Sequence, residues 1–576
     1  MSSANSASFD AIVVGSGITG GWVAKELCER GHEVLVIERG RHLDHPSQEY
    51  TDGQAPWELE YRGLVPDYLA ENDRYEMFRR KRHIYRNEHR QFFVDDAEYP
   101  YSYPKDRPFM WTRGYQLGGR SITWARQCYR WSQQDFDANR KDGHGVPWPI
   151  GYDDLAQWYD RVEGFAGVSG NSDGLDSVPD GNFIKPWAMS CAEEFVAANL
   201  RKTRPDRPMI IGRCANLTEP TEAATAVGRG VCQARARCSS GCAYGAYFSS
   251  LSATLPAARK TGNLSVETDQ IVQSLIYDET SGKVSGVRTI GAKDKRQQTF
   301  TGKMVFLNAG SLNSVHILLN SRSERYPNGL ANSSDKLGRY IMDHFGGAGA
   351  SGDVPGFDDR YAFGRRPVGI YVPNYRHEQK EDADFLRGFG FQGSAQQRTS
   401  DRPKENAKGV GNALWQGGRQ GANWRMTLFM YGEMLPYAEN RATLHASKTD
   451  QFGIPLLHID CEGRQNEKKM RSQGSKDAVD ILTAGGCENI REIAPDPDAF
   501  IMLGERTHEM GGACMGEDPK ASVVNGWCQS HDIPNLFISD GAVMSSCGTQ
   551  NPSLTYMALS ARAAHYAADL LQEGAI

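Results

Sequence analysis

The chain opens its ordered pattern with an apolar run, Ala11 to Val14, that stops at Gly15. A helical spacing follows through Ile18, Trp22 and Val23, and a second apolar run over residues 33–37 ends in Glu38. Strand, glycine turn, helix, strand and acid are therefore predicted in that order. The same alternation returns much later. Met304-Val-Phe-Leu leads into Asn308-Ala309-Gly310 and a helix over 312–320; Asn535 to Asp540 forms a strand, and Pro552 opens a helix over 553–571. Between these lie shorter signals. Asp153 or Asp154 can cap a helix carrying Leu155, Trp158, Tyr159 and Val162. Residues 263–270 predict a strand, with Val272 just beyond, and 277–289 a hairpin turning at Ser281-Gly282. Residues 424–431 and 442–446 alternate as an antiparallel sheet does. Residues 41–108 have poor periodicity and predict an extended arm or lid, and 168–186 a loop.

These elements predict an α/β (α+β, two-domain) fold. A Rossmann-like dinucleotide-binding domain is assembled from the split segments 1–50, 105–145, 226–345 and 500–576. An antiparallel-sheet substrate domain with its lid takes 51–104, 146–225 and 346–499. Gly15 permits a tight turn, Gly17 close approach of a pyrophosphate, and Gly20 close helix–strand packing. Ile18 and Thr19 open the helix, whose free N–H groups favour phosphate. Glu38 can accept from a ribose hydroxyl. An NAD dehydrogenase usually completes its nucleotide domain in one block, so the split arrangement points to FAD.

Composition narrows the partners. The chain has 576 residues, 39% hydrophobic, and a formal charge of −6, which argues against nucleic acid as the main partner. The basic run from Arg79 to Arg90 is the local exception and reads most simply as a solvated face. No apolar window reaches membrane-spanning length. The first eight residues lack the basic and apolar regions of a signal peptide. The expected location is cytoplasmic, or periplasmic where a signal-bearing partner subunit exports the chain. Twelve cysteines in so long a chain do not make a disulfide scaffold, but three of them cluster.

Two motifs in the last seventy residues carry chemistry: Thr507-His508-Glu-Met-Gly-Gly and Gly548-Thr-Gln-Asn551-Pro552. On the residues alone, His508 reads first as a buried structural histidine. His531, in His-Asp-Ile-Pro-Asn, is the competing histidine and reads as a turn residue. With the N-terminal fingerprint, the Gly118-Gly119 loop and the Leu307-to-Gly310 strand end, these motifs resemble the glucose–methanol–choline (GMC) oxidoreductases, FAD-dependent alcohol dehydrogenases and oxidases.

The resemblance implies that His508 and Asn551 face the flavin as the catalytic pair: oxidising an alcohol requires a hydride acceptor and a base, histidine titrates in the right range for the base, and Asn551 can hold the hydroxyl in line. It places Gly118, Gly119, Ser121, Thr123, Val272, Ala309, Gly310, Asp540, Gly541, Asn551 and Pro552 around FAD with the N-terminal residues. Asp540 has a helix cap or turn as its alternative role. Thr123 stands where pyranose oxidases attach FAD through a histidine. Threonine cannot make that link, so non-covalent FAD is expected. Cys232, Cys238 and Cys242 resemble the [3Fe-4S] ligand run of bacterial glucoside dehydrogenase catalytic subunits. Free or paired thiols and a zinc site are the alternatives, and zinc would want a fourth ligand. A cluster implies a dehydrogenase with a downstream acceptor: a small subunit and a cytochrome c, or another acceptor such as a quinone. Aromatic residues including Trp415 could stack on a sugar, although most tryptophans are core or partly buried surface, and Gln392 and Glu433 could bind its hydroxyls or equally serve the backbone of their own strands. The nearest resemblance is to glucoside 3-dehydrogenases, which implies oxidation of the C3 hydroxyl of glucose or a glucoside to a ketone. A pyranose or glycoside oxidase releasing peroxide is the alternative.

Overall fold

The computed structural model describes residues 8–55, 57–63, 87–357, 359–360, 368–376, 384–397, 410–411, 424–493, 496 and 499–576. Most of the basic run, much of the predicted arm or lid, and Trp415 lie outside them.

The first apolar run is the strand Phe9–Val14, buried at its C-terminal end, and it is central to a seven-stranded sheet. It pairs in parallel with Val34–Ile37 on one side and with Gln297–Leu307 on the other. Val34–Ile37 pairs in parallel with Leu264–Glu267, and Gln297–Leu307 with Leu536–Ile538. Helices Ile18–Glu29 and Ser553–Gln572 pack against each other beside this sheet. Such strands are covered on both faces, which is why they read as continuous apolar runs. The predicted hairpin is present: Gln270–Asp278 and Lys283–Gly291 pair antiparallel, with Gly282 at positive φ in the turn. It continues antiparallel onto the N-terminal half of Gln297–Leu307. That strand therefore belongs to a meander at one end and to the parallel layer at the other.

A second, six-stranded sheet is antiparallel throughout, in the order Glu488–Ile493, Gly349–Val354, Trp424–Gly432, Phe389–Gln397, Ile370–Val372, Ile210–Ile211. Alternation assigns its faces. Met426, Leu428 and Met430 are buried on the face that meets helix Gln465–Ala484, where the absent side chain of Gly474 makes room for Met430. Gln392, Phe429 and Tyr431 share the other face, on which Gln392 is buried and Phe429 is exposed. The helix predicted from Leu155, Tyr159 and Val162 spans Tyr152–Ala166; Asp154 accepts from the Gly151 backbone N–H at 2.8 Å. No helix among the described residues is long and apolar enough to cross a membrane.

One buried charge ties three helices together. The Glu26 carboxylate accepts from Arg161 at 2.6 Å, contacts His565 at 2.7 Å and pairs with Lys25 at 3.1 Å. Burial raises its pKa, but the bonds from His565 and Arg161 and the charge of Lys25 outweigh this and bring it down to about 2 from 4.5. Its stabilisation is therefore fully present above pH 4.5 and lost as pH falls towards 2. Glu26→Gln should cost roughly 3 kcal/mol at neutral pH. Thermal melts should show a lower midpoint at pH 7 and a gap to the parent protein that closes through that acid window.

Candidate active site

The C-terminal ends of three parallel strands lie side by side, and the chain turns away from each into one cavity of about 460 Å³. The first turn is Gly15-Ser16-Gly17. Gly15 has φ +99°, and a Cβ there would stand 2.4 Å from the Asn308 carbonyl oxygen. A Cβ on Gly20 would meet the Gly15 carbonyl at 1.9 Å, so Gly20 serves helix packing and does not line the cavity. Around Gly17 the space is open, and helix Ile18–Glu29 has no side-chain cap. Its first N–H groups are left for a ligand, as a pyrophosphate requires.

Glu38 is buried, and burial pushes its carboxyl pKa up. It accepts from the Ser16 N–H at 3.1 Å, the Ser16 hydroxyl at 2.6 Å and the Gly40 N–H at 2.9 Å. The acid thus braces the glycine turn as well as lining the cavity. Ser16 Oγ also accepts from the Gly118 N–H at 2.9 Å, which draws in the second loop. Gly118, at φ +91°, packs its α-carbon side towards Leu251 and leaves the cavity wall to Gly119, Ser121 and Thr123. Ala309 and Gly310 line the cavity beyond the third strand. Asp540 accepts from Gly310 N–H at 2.9 Å, Ser314 Oγ at 2.6 Å and Ala542 N–H at 2.9 Å. Burial pushes it up to about 6 against those bonds. It is at once a cap for the turn at 541–543 and a cavity residue. Val272, Gly541 and Pro552 line the same cavity. The open turn, the uncapped helix and the unpartnered Asn308 Oδ1 on the wall fit FAD along this groove.

At the far end stand His508 and Asn551, with Asn551 Nδ2 3.3 Å from His508 Nε2. The backbone here is strained: Thr507 has φ +61°, rare for a β-branched residue. The buried Asp343 carboxylate holds it there, accepting from Arg506 N–H at 3.1 Å and His508 N–H at 2.9 Å. Arg120 adds a second clamp, donating to Glu509 at 2.7 Å and to the Thr507 carbonyl at 3.3 Å. His531 is a turn residue, bonded to Ser522 Oγ at 2.9 Å away from the cavity.

The substrate expectations change. Gln392 does not line the cavity; its amide donates to Asn551 Oδ1 at 2.5 Å and accepts from Gln127 at 3.0 Å. Glu433 is fully buried in an ion pair with Arg387, which also binds Asp142, and it does not line the cavity. Trp131, Trp148 and Trp424 are core residues, while Trp124 reaches the cavity.

The cysteines are also placed. All twelve are free thiols. Cys232 and Cys242 pack against Leu217, Ala224 and Ala246, and Ser239, next to Cys238, touches the cavity. Among the described residues no three His, Cys, Asp or Glu side chains converge to hold a metal. Cys232, Cys238 and Cys242 thus form no gathered set of donors in this arrangement. Sequence reasoning missed Asp343, His344, Gln127 and Arg120; the pairing of Asp343-His344 before Gly346-Gly347 was the available signal.

The fold and this site define a flavin-dependent oxidoreductase. GMC oxidoreductase family models match residues 9–345 and 436–560, and the chain belongs to that family. It is 25% identical to the fructose dehydrogenase large subunit of Gluconobacter japonicus, over 98% of this chain and 99% of that one. It is 26% identical to the 2-methyl-1,2-propanediol dehydrogenase of Mycolicibacterium austroafricanum, over 97% of this chain and 94% of that one. The fold is also that of pyridoxine 4-oxidase from Mesorbium loti, at a TM-score of 0.61 and 15% identity, covering 97% of this chain and 99% of that structure. The protein is thus an FAD-dependent GMC oxidoreductase acting on CH–OH groups of alcohols or sugars.

Gly15→Ala should weaken FAD retention on the order of tenfold or more, because the turn must shift away from Asn308. Visible flavin absorbance per mole of purified protein measures it; parent-level flavin would show that the turn tolerates the change.

Proposed function

We propose that this protein is a sugar dehydrogenase that oxidises a secondary hydroxyl, the C3 hydroxyl of glucose or a glucoside, to a ketone. The observation that carries the reading is the pairing of His508 Nε2 with Asn551 Nδ2 on the cavity wall. Bound FAD supplies the hydride acceptor. His508 takes the hydroxyl proton at Nε2, and Asn551 holds the hydroxyl oxygen in line through an amide N–H. Tyr431, on the inward face of the antiparallel sheet with its ring 6.2 Å from that of His508, closes the substrate side. We assign the antiparallel sheet to the substrate domain and the parallel sheet to the FAD domain.

Full-length likeness to a fructose dehydrogenase supports a sugar as substrate, and the words "large subunit" in that relative's name support a smaller partner. The electron acceptor in this reading is a cytochrome c or similar protein reached through that partner. C3 selectivity rests on the resemblance of the Gly118 loop, the cysteine run and the Trp148 segment to glucoside 3-dehydrogenases. An oxidase acting on a glycoside or pyranose with dioxygen is the second reading.

Anaerobic titration with D-glucose, methyl glucosides, D-fructose and simple diols, followed by visible absorbance, tests the reading. Glucosides should bleach the flavin and yield a 3-keto product; bleaching by diols alone would overturn the sugar assignment. Peroxide formed in air without added dye would favour the oxidase. His508→Ala should slow bleaching by roughly 10² or more, and an unchanged rate would remove it as the base. Iron analysis of anaerobically prepared protein reads the cysteine run: stoichiometric iron would require Cys232, Cys238 and Cys242 to rearrange, and its absence would retire the cluster.

A further inference from the structure

His344 has no part in the expected site and does not line the cavity, yet it is fully buried against the residue that matters most. Its Nδ1 lies 2.8 Å from His508 Nδ1, with the rings edge to face at 88°. Its Nε2 lies 2.9 Å from the Gly548 carbonyl oxygen. A carbonyl only accepts, so His344 Nε2 carries a proton. Burial first, and then repulsion from Arg506, bring the His344 pKa down to about 4 against the pull of the Gly548 carbonyl, so the ring is neutral at working pH. A neutral ring protonated at Nε2 has a lone pair at Nδ1. The only group that can satisfy the short contact is then an N–H on His508 Nδ1, which leaves the lone pair of His508 on Nε2, facing Asn551 and the cavity.

The other side of the pair is set in the same way. Tyr129 donates to Gln127 Oε1 at 2.5 Å, and Gln127 donates to Gln392 Oε1 at 3.0 Å. Gln392 donates to Asn551 Oδ1 at 2.5 Å, so the Asn551 N–H group is the one turned to His508 Nε2. Every bond in the chain runs with one polarity, and reversing any amide would set two acceptors or two donors face to face.

We propose that His344 is a positioning residue that locks His508 in the tautomer whose unprotonated Nε2 can accept the substrate proton. It also accepts from the Nδ1–H of the imidazolium that results, as a neutral counterpart of the carboxylate that orients a catalytic histidine elsewhere. The charged and titratable groups facing His508 are Asp343 through the backbone, Arg506 and Tyr431 from the neighbouring strand and loop, and the Arg120–Glu509 pair. The inference rests on His508 being the base.

Three variants of the FAD-loaded protein separate the possibilities, with flavin bleaching by D-glucose, methyl glucoside or D-fructose as readout, using whichever bleaches the parent fastest. His344→Leu removes the acceptor. It should lower the bleaching rate by roughly 10- to 100-fold with little change in half-saturating sugar. The apparent pKa of the base should move to lower pH, because the imidazolium loses its Nδ1 partner. His344→Asn places an oxygen near the Nδ1 position and should recover most of the rate and pH profile. His344→Gln keeps only a donor towards Gly548 and should not. A parent-like profile in His344→Leu, while His508→Ala is inactive, overturns the proposal. A parent-like rate in His508→Ala instead overturns the assignment of the base. If His344→Leu fails to retain flavin, the Asn and Gln variants decide, and equal pH profiles in those two overturn the proposal.

Discussion

The close approach of Gly15 to Asn308 is the constraint on which the rest depends. Strands Phe9–Val14 and Gln297–Leu307 pair in parallel to their last residues, Val14 opposite Leu307. Asn308 N–H then donates to the Val14 carbonyl at 2.8 Å, which brings the two exit turns into contact. No side chain fits between them, so the turn is glycine, and the helix that follows must start close behind it. Glu38 and Ser16 then fasten this turn to the Gly118 loop, and Asp540 fastens the third exit to Gly310. A pyrophosphate cradle and a cavity wall both follow from one register.

The reactive end is organised differently. There the fold spends buried hydrogen bonds rather than close backbone packing. Asp343 holds Thr507 in a conformation that β-branched residues avoid, and the residue after Asp343 meets the ring of the residue after Thr507. Two adjacent residues of one segment thus fix the backbone and the ring of His508 together. Such strain persists only where the surroundings over-determine it, and it tends to sit where geometry must be exact to a fraction of an ångström. The low dielectric that makes each unmet bond costly is also what gives the chain from Tyr129 to Gly548 a single polarity.

How much of this was legible in the sequence follows from the range of each interaction. The glycine turn, the apolar strands, the hairpin at Gly282 and the split parallel sheet were readable because local pattern encodes them. Asp540 was readable as either a cap or a cavity residue, and it is both, since one carboxylate oxygen serves Ala542 and the other Gly310 and Ser314. Gln392 and Glu433 were misplaced because alternation on a strand tells which face a side chain takes but not what lies beneath that face. Gln392 does turn inward, yet Asn551 and Gln127 reach it first. The Asp343-His344 pair before Gly346-Gly347 marked a local feature, but the partner of His344 is distant in the chain and nothing periodic links the two. The cysteine spacing suggested a ligand set, and Cys232 and Cys242 do share one small apolar cluster, but among the described residues no three donors are gathered for a metal.

The glycine turn and His508 come from opposite ends of the chain, so something must hold them in register, and Arg120 is placed to do it. It follows Gly118-Gly119 directly, and its guanidinium spans both carboxylate oxygens of Glu509 and the Thr507 carbonyl. The Glu509 side chain is almost wholly buried, whereas a third of Arg120 remains exposed. Desolvating such a pair offsets much of its attraction, so its value lies less in net stability than in fixing geometry. A bidentate fork resists rotation as well as separation. The loop that lines the cavity at Gly119 and the loop that carries His508 are therefore positioned as one wall, tied through Ser16, Gly118 and Arg120 to the glycine turn at the start of the chain.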